Sequence, residues 1–318
     1  EEQEPQCVMF FIQLFTSSKE NFENKDFDEL KKNFLDIVNL IETGGLLNIN
    51  EDILIQYSID LIEIIDQLQS YQDQQQTIYH GLRIILYFFY IKNSIMVNII
   101  QNGYLPFFQN LMHFPENHIK EATAFIVSLF YSSDDLVLIA LNSNLFSEFC
   151  ELFQFYLEKP NVNQSFHVLM IISSAFNNIS RYFNVDENVT IEMIEKIIEL
   201  YSFALEDNFE NKLISRFTDF LQILKDKTNK TIISLLFEYK LPLEFYQILL
   251  NSQSFKNNSL YFFAFITKFI DEKDFLLLKE FFDYKTFLDL MIDSKNPSSF
   301  KLSYAFLILE NMMKYDIE

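Results

Sequence analysis

Apolar side chains recur every three or four residues along most of this chain, which is the spacing of one face of an α-helix. Between residues 99 and 112 the pattern is interrupted by Gly103 and Pro106. Glycine tolerates the left-handed backbone that follows a helix C-terminus, and proline fits the first turn of a helix. The stretch therefore predicts the end of one helix, a sharp corner and the start of the next.

A third helix is predicted after this corner, because Ile119, Ala122, Ile126 and Leu129 form another apolar stripe. Equivalents of Pro106 align at positions 147, 192, 243 and 286, in steps of 41, 45, 51 and 43 residues, with one longer loop. In the second copy Asn144 takes the place of Gly103, since Asn also tolerates the left-handed region. A long amphipathic helix follows each copy, at 118–131, 165–183, 210–225, 257–270 and 298–314. Stacked helical repeats have periods of about 40–47 residues.

The predicted fold class is all-α, an α-solenoid in which each repeat of three helices buries its apolar face against the next repeat. We expect residues 1–76 to form a helical N-terminal cap of degenerate repeats, and residues 77–318 to continue the same solenoid. Four glycines and six prolines are too few for an all-β domain of this length. A parallel sheet is not favoured, because the apolar spacing is three to four residues throughout.

The segments from Ile99 to Met112 and from Glu121 to Phe130 resemble the armadillo repeat family and, more distantly, the importin-α-like adaptors within it. This resemblance covers about residues 77–318. It implies a right-handed superhelix whose third helices line a concave groove, and it implies that the groove holds an extended peptide.

Importin-α-like proteins carry a Trp and, four residues later, an Asn on each third helix; the Asn clamps the peptide backbone and the Trp flanks lysine stems. The matching pairs here are Ala124 and Ser128, Ser174 and Asn178, and Leu307 and Asn311. The chain has no Trp, so two of the three clamp positions match and none of the flanking ones does.

The net charge of −21 argues against nucleic acid or an anionic membrane surface as the main partner, since both require a basic footprint. It permits a protein or peptide partner with basic residues. The alternative reading is that the acidic residues keep a Phe-rich solenoid soluble.

Composition also bears on the compartment. Cys7 and Cys150 form no disulfide framework, which fits a reducing environment, and we expect Cys150 to be an apolar helix residue. No apolar run approaches the roughly 18 residues of a membrane span, and no membrane insertion is expected. The chain starts without Met, so a preceding segment is expected. These features predict a cytoplasmic or nuclear protein, or one found in both.

Catalytic motifs are not found in the sequence: it has no Gly-rich phosphate loop, no serine elbow and no paired-cysteine motif. His113 and His118 lack a convincing third metal ligand, and structural roles are favoured for His80 and His167. The carboxylates at 134–135 and 271–274 fit solvated loops and N-caps of following helices better than acid–base catalysis. We therefore predict no enzymatic activity, no cofactor and no metal.

Polar side chains on the third helices are the candidate groove residues. Asn177, Asn178 and Arg181 form a cluster after the apolar run at 168–172, and Arg181 and Lys268 are able to pair with ligand carboxylates. An equally weighted alternative is the solvent-facing stripe of an amphipathic helix. The full set of candidates is Ser128, Ser174, Asn177, Asn178, Arg181, Lys268 and Asn311.

Three functions are compatible with these observations. The first is a non-enzymatic scaffold that binds a partner segment along the concave face. The second is a divergent importin-α-like nuclear-transport adaptor. The third is a structural subunit of a cytoskeletal or trafficking assembly that uses the convex face or the ends.

Overall fold

The computed structural model describes residues 4–43, 49–159, 165–181, 191–206, 211–224, 230–251, 256–292 and 299–315. Within these ranges the regular elements are all α-helices. The first nine are α1 Glu4–Glu23, α2 Phe27–Glu42, α3 Glu51–Leu68, α4 Gln75–Ile91, α5 Asn93–Gln101, α6 Leu105–Met112, α7 Asn117–Ser132, α8 Val137–Leu141 and α9 Leu145–Glu158. The next nine are α10 Ser165–Ser180, α11 Ile191–Glu206, α12 Asn211–Leu224, α13 Lys230–Glu238, α14 Leu241–Asn251, α15 Lys256–Thr267, α16 Glu272–Lys279, α17 Tyr284–Ile292 and α18 Ser299–Met313.

The chain groups into two compact units. Unit one comprises Glu1–Leu152 and Asn161–Ile172, and unit two comprises Phe153–Pro160 and Ser173–Glu318. The boundary expected at residue 76 lies inside unit one.

The long helix of each repeat is here called the third helix. The apolar stripes in the sequence predict where these helices lie. The predicted third helices correspond to α7, α10, α12, α15 and α18, and the apolar helix before the first corner is α4. Predicted residues 182, 183, 210, 225 and 298 lie outside the described residues. In unit one α2 packs against α4 and α4 against α7; in unit two α12 packs against α15 and α15 against α18. Each unit thus has its own row of adjacent helices, and α2 and α4 are counted below with the third helices of unit one.

The corner at Gly103 has the predicted left-handed backbone, with φ of 91°. Tyr104 N–H donates to Ile99 O at 3.3 Å and Gly103 N–H to Ile100 O at 3.0 Å, which is the Schellman pattern that ends a helix. Lys240, in register with Gly103 in a later repeat, also has a positive φ, of 54°.

Two expectations about the repeats are wrong. Asn144 does not have a positive φ; the Ser143 hydroxyl accepts a hydrogen bond from Leu145 N–H at 3.2 Å and caps α9 there. The 51-residue step does not come from a longer loop alone. It contains α11 with 16 residues and α13 with 9, whereas the first step contains α6 with 8 and α8 with 5. Helix length therefore accounts for most of the additional residues.

Polar contacts between successive repeats have a characteristic spacing. Side-chain hydrogen bonds recur between residues 37 to 46 positions apart. In unit one, Lys19 Nζ donates to Asp60 Oδ2 at 3.0 Å; in unit two, the Tyr315 hydroxyl donates to Ile270 O at 2.7 Å. Within each unit, such bonds thus join repeats that follow one another in the chain.

No single helix among the described ones is long and apolar enough to cross a membrane. The helices Gln75–Ile91 and Asn93–Gln101 are long and apolar enough for a membrane span only when they are taken together. The chain bends by 115° between them.

Candidate functional site

An apolar pocket lies on the third helices of unit one. It has a volume of about 230 Å³. Its lining comes from three successive helices: Val38, Ile41 and Glu42 on α2, Arg83, Leu86, Tyr87 and Tyr90 on α4, and Phe125 on α7. Tyr90 is 75% exposed and Phe125 is 38% exposed. The pocket therefore offers aromatic surface to solvent.

Charges at this apolar pocket are paired. The Arg83 guanidinium forms an ion pair with the Glu42 carboxylate, and its Cζ lies 5.8 Å from the centre of the Tyr79 ring. One turn earlier on α4, burial lowers the pKa of His80, and the nearby charges of Arg83 and Lys31 lower it further. His80 is therefore neutral at pH 7, and the Arg83–Glu42 pair contributes no net charge to the pocket.

A polar pocket of similar volume, about 230 Å³, lies on the third helices of unit two. It is lined by Thr218, Asp219 and Gln222 on α12, Asn257, Asn258 and Tyr261 on α15, and Tyr304 on α18. Asn258 Nδ2 donates to Thr218 Oγ1 at 2.7 Å, which fixes the amide at the pocket wall.

The ionic and aromatic groups of the polar pocket are accessible. The Asp219 side chain is 49% exposed, and its Oδ2 lies 3.9 Å from Arg216 Nη1, one turn earlier on the same helix. The Tyr261 and Tyr304 rings meet edge to face with centroids 5.9 Å apart. A carboxylate beside two tyrosine rings suits an extended cationic side chain.

The residues predicted from sequence lie in different environments. Ser128 is half-buried and its hydroxyl donates to Phe125 O at 2.7 Å, one turn from the apolar pocket. Ser174 and Asn178 are half-buried, and Arg181 is exposed. Lys268 is exposed, and its Nζ lies 4.9 Å from the centre of the Phe269 ring.

Two predicted residues are packed between helices instead of facing solvent. Asn177 is 7% exposed and Asn311 is 4% exposed. Asn311 Nδ2 donates to Thr267 Oγ1 at 3.4 Å, and Asn311 Oδ1 accepts from Lys314 Nζ at 3.0 Å. Asn311 thus joins α18 to α15, because its side chain lies on the side of α18 that faces the preceding third helix.

The residues that line the two pockets were not identified from the sequence. Phe125 shows why: it lies between Ala124 and Ile126, which are both fully buried, so it reads as part of the same apolar run. Phe125 is outside the stripe formed by Ile119, Ala122 and Ile126, but the fully buried Ala124 is outside it too, so the stripe alone does not mark exposed positions.

The structure also bears on the groups considered for chemistry. Within the described ranges, no three His, Cys, Asp or Glu side chains are grouped so that they could hold a metal. Asp271 caps α16 as predicted, since its Oδ1 accepts from Asp274 N–H at 3.0 Å in a reciprocal capping box. His167 Nδ1 lies 3.2 Å from Glu121 Oε1, between α10 and α7.

Comparisons with known proteins identify the fold. No protein-family model matches the chain, and no curated protein matches it. A designed armadillo repeat protein is 16% identical, with 79% of this chain and 99% of that chain covered at a TM-score of 0.57. Another, in complex with the peptide (KR)4, is 17% identical, with coverages of 80% and 99% and a TM-score of 0.57.

A third similar structure comes from computationally designed armadillo repeat proteins for modular peptide recognition. It is 16% identical and covers 79% of this chain and 99% of its own, at a TM-score of 0.59. At these identities the similarity extends to the fold alone. Together with the helical repeats of both units, it establishes that this chain has the all-α solenoid fold of armadillo repeat proteins.

Proposed function

We propose that this protein is a non-enzymatic scaffold that binds a segment of a partner protein on its third helices. The observation that carries the proposal is the polar pocket of unit two, because it combines Asp219 with the rings of Tyr261 and Tyr304. Such a site accepts a Lys or Arg side chain through an ion pair and cation–π contacts.

Several of the predicted residues extend this proposal. Ser128, Ser174 and Asn178 lie on third helices and are half-buried, and Arg181, the residue that follows α10, is exposed. Lys268 follows α15 directly and is exposed. We expect Ser128 to bond a segment on unit one and the other four groups to bond the backbone or acidic side chains of a segment on unit two, whereas Asn177 and Asn311 support the packing of unit two.

A basic segment is the expected partner. The net charge of −21 raises the local concentration of cationic ligands, and the pocket carboxylate gives them a defined position. The similar designed protein that is in complex with the peptide (KR)4 makes this peptide a suitable first probe. An intracellular partner, in the cytoplasm or the nucleus, is part of the proposal.

The test is a titration of fluorescently labelled (KR)4, followed by anisotropy at low salt. We expect Asp219→Asn to weaken binding about five- to tenfold, because a half-exposed ion pair contributes roughly 1 kcal/mol. The matched control is Asp289→Asn, which neutralises an exposed carboxylate on α17 outside the pocket. Equal losses in both variants would show general attraction without a site, and no binding by the unmodified chain would refute a basic segment.

A second candidate function, as a subunit of a larger assembly, is favoured by apolar side chains exposed on the last helices of unit two. Leu276 on α16 is 58% exposed, and Phe306 and Met313 on α18 are 68% and 61% exposed. Sedimentation of the unmodified chain against Phe306→Glu tests whether this surface drives association. A monomer at all concentrations in both proteins would count against it.

A further inference from the structure

We propose that the apolar pocket of unit one binds an aromatic or large aliphatic side chain of a partner segment that lies on unit one. This inference rests on the proposed function, because it assumes that a protein segment lies on the third helices. It adds the chemistry of one anchoring side chain and the residues that receive it.

The size of the pocket suits an aromatic ring. Its volume is about 230 Å³, whereas an apolar cavity of about 150 Å³ is enough for benzene. Val38, Ile41 and Leu86 supply aliphatic walls, and Tyr87 adds a ring. A neutral ring or branched aliphatic group would be surrounded by apolar carbon from three helices, which is the setting in which apolar burial is most favourable.

The electrostatics of the pocket select against a charged occupant. The Arg83–Glu42 ion pair closes one side, so each of these charges is already balanced by the other. An incoming Lys or Arg would meet the Arg83 charge, and an incoming Asp or Glu would meet the Glu42 charge. A neutral side chain avoids both repulsions and suits the apolar walls, whereas the polar pocket is lined by hydroxyl, amide and carboxylate groups.

Two aromatic residues of the pocket are exposed next to buried neighbours on the same helices. On α4, Phe88 is fully buried and Phe89 is 3% exposed, while the next residue, Tyr90, is 75% exposed. On α7, Ala124 and Ile126 are fully buried on either side of Phe125. Tyr90 and Phe125 therefore present aromatic surface at the pocket that can cover an occupant, as aromatic residues do in protein–protein anchor sites.

The pocket also lies where a segment crossing the third helices would pass. Its lining spans α2, α4 and α7, which are consecutive in the row of unit one. Ser128, one turn beyond Phe125 on α7, places a half-buried hydroxyl beside the pocket. A side chain inserted here would therefore contact three successive repeats at once.

The experiment uses capped amino acids as probes and the pocket walls as reporters. The full chain, labelled at Val, Ile and Leu methyl groups, is titrated separately with N-acetyl-phenylalaninamide and N-acetyl-lysinamide. We expect the methyl resonances of Val38, Ile41 and Leu86 to shift with the phenylalanine probe, with a Kd on the order of millimolar, and to be unchanged by the lysine probe.

A matched pair of variants tests the assignment. Phe125→Lys replaces a partly exposed pocket residue, and Phe10→Lys makes the same change at a Phe on α1 that is 49% exposed and outside the pocket. We expect Phe125→Lys to weaken binding of the phenylalanine probe at least tenfold. Phe10→Lys should change the Kd of this probe by less than twofold. No shift in the unmodified chain, or equal shifts with both probes, would overturn the inference.

Two further outcomes separate this inference from the proposed function. If (KR)4 binds through Asp219 while the methyl resonances of the three pocket residues do not shift with the phenylalanine probe, only the apolar subsite is refuted. If the phenylalanine probe binds and no peptide does, the subsite holds and the scaffold function fails. Methyl shifts that appear on concentrating the chain without a probe would assign the pocket to a second copy of the chain and overturn the inference.

Discussion

At Gly81 the backbone of α4 lies directly against side chains of α2 and α3. A Cβ placed there would be 2.7 Å from Ile65 Cδ1 and 3.2 Å from Phe34 Cε2, and both side chains are fully buried. At Gly103, in contrast, an added Cβ would meet no atom within 4 Å, and the positive φ alone favours glycine. The first glycine provides space and the second provides a backbone conformation.

We expect Gly81→Ala to destabilise the protein by about 1 kcal/mol. Overpacking costs about 1–3 kcal/mol, and the better helix propensity of Ala returns about 1 kcal/mol. Combining it with Ile65→Val removes the methyl group in conflict, so the double variant should lose less than the sum of the single losses. Urea unfolding of the four proteins measures this coupling, and simple additivity would contradict the close approach.

His80 on α4 is expected to make stability depend on pH. The side chain is 8% exposed, its Nδ1 has no hydrogen-bond partner among the described residues, and burial lowers its pKa. Below the unfolded-state pKa of about 6.5, the unfolded chain binds a proton that the folded chain does not. Stability should therefore fall as the pH falls from about 7 to about 5.5, by up to about 1 kcal/mol from this residue.

The measurement compares His80→Gln with the unmodified chain in urea at both pH values. The variant should show a smaller loss of unfolding free energy on acidification, because its side chain does not titrate. His118→Gln, which makes the same change at an exposed histidine, is the control. An unchanged pH dependence in His80→Gln would show that His80 is protonated equally in both states.

At the level of elements, the third helices of unit two are joined by amide–hydroxyl hydrogen bonds. Asn258 on α15 bonds Thr218 on α12, and Asn311 on α18 bonds Thr267 on α15. Asn311 and Thr267 are 4% and 2% exposed. Asparagine thus takes part in the contact between repeats, besides any role toward a ligand.

We predict that Asn311→Ala lowers the free energy of unfolding by about 1–2 kcal/mol. The change leaves buried Thr267 Oγ1 with its bond to Phe263 O alone and removes packing between α15 and α18. Asn257→Ala is the matched control, since Asn257 is exposed, and it should cost less than about 0.5 kcal/mol. Equal losses from both substitutions would mean that the buried bond is not stabilising.

The helices were largely predictable from the sequence, whereas the pockets were not. The predicted helix 118–131 is observed as Asn117–Ser132 and 257–270 as Lys256–Thr267, because a stripe at helical spacing and its polar ends are local properties. The pockets depend on which turns of α2, α4 and α7 lie opposite one another. That register is set by packing between residues about forty positions apart, and no periodicity within one helix encodes it.

At the level of the whole molecule, the net charge of −21 should make the two subsites respond differently to salt. We expect raising NaCl from about 50 mM to about 500 mM to weaken (KR)4 binding more than tenfold, because the Debye length shortens from about 14 Å to about 4 Å. The affinity for N-acetyl-phenylalaninamide should change less than twofold, because this probe carries no charge. Titrations at both salt concentrations measure the difference, and parallel losses would show that both ligands bind through charge.

The spacing of 37 to 46 residues between bonded side chains has a consequence for how this chain folds during synthesis. Every such bond joins residues about one repeat apart, so a repeat leaving the ribosome can bond at once to the repeat made just before it, and that earlier repeat waits for only one further repeat. Folding of each unit can then advance repeat by repeat as translation proceeds. The apolar face of the newest repeat stays exposed to solvent only until the next repeat packs against it.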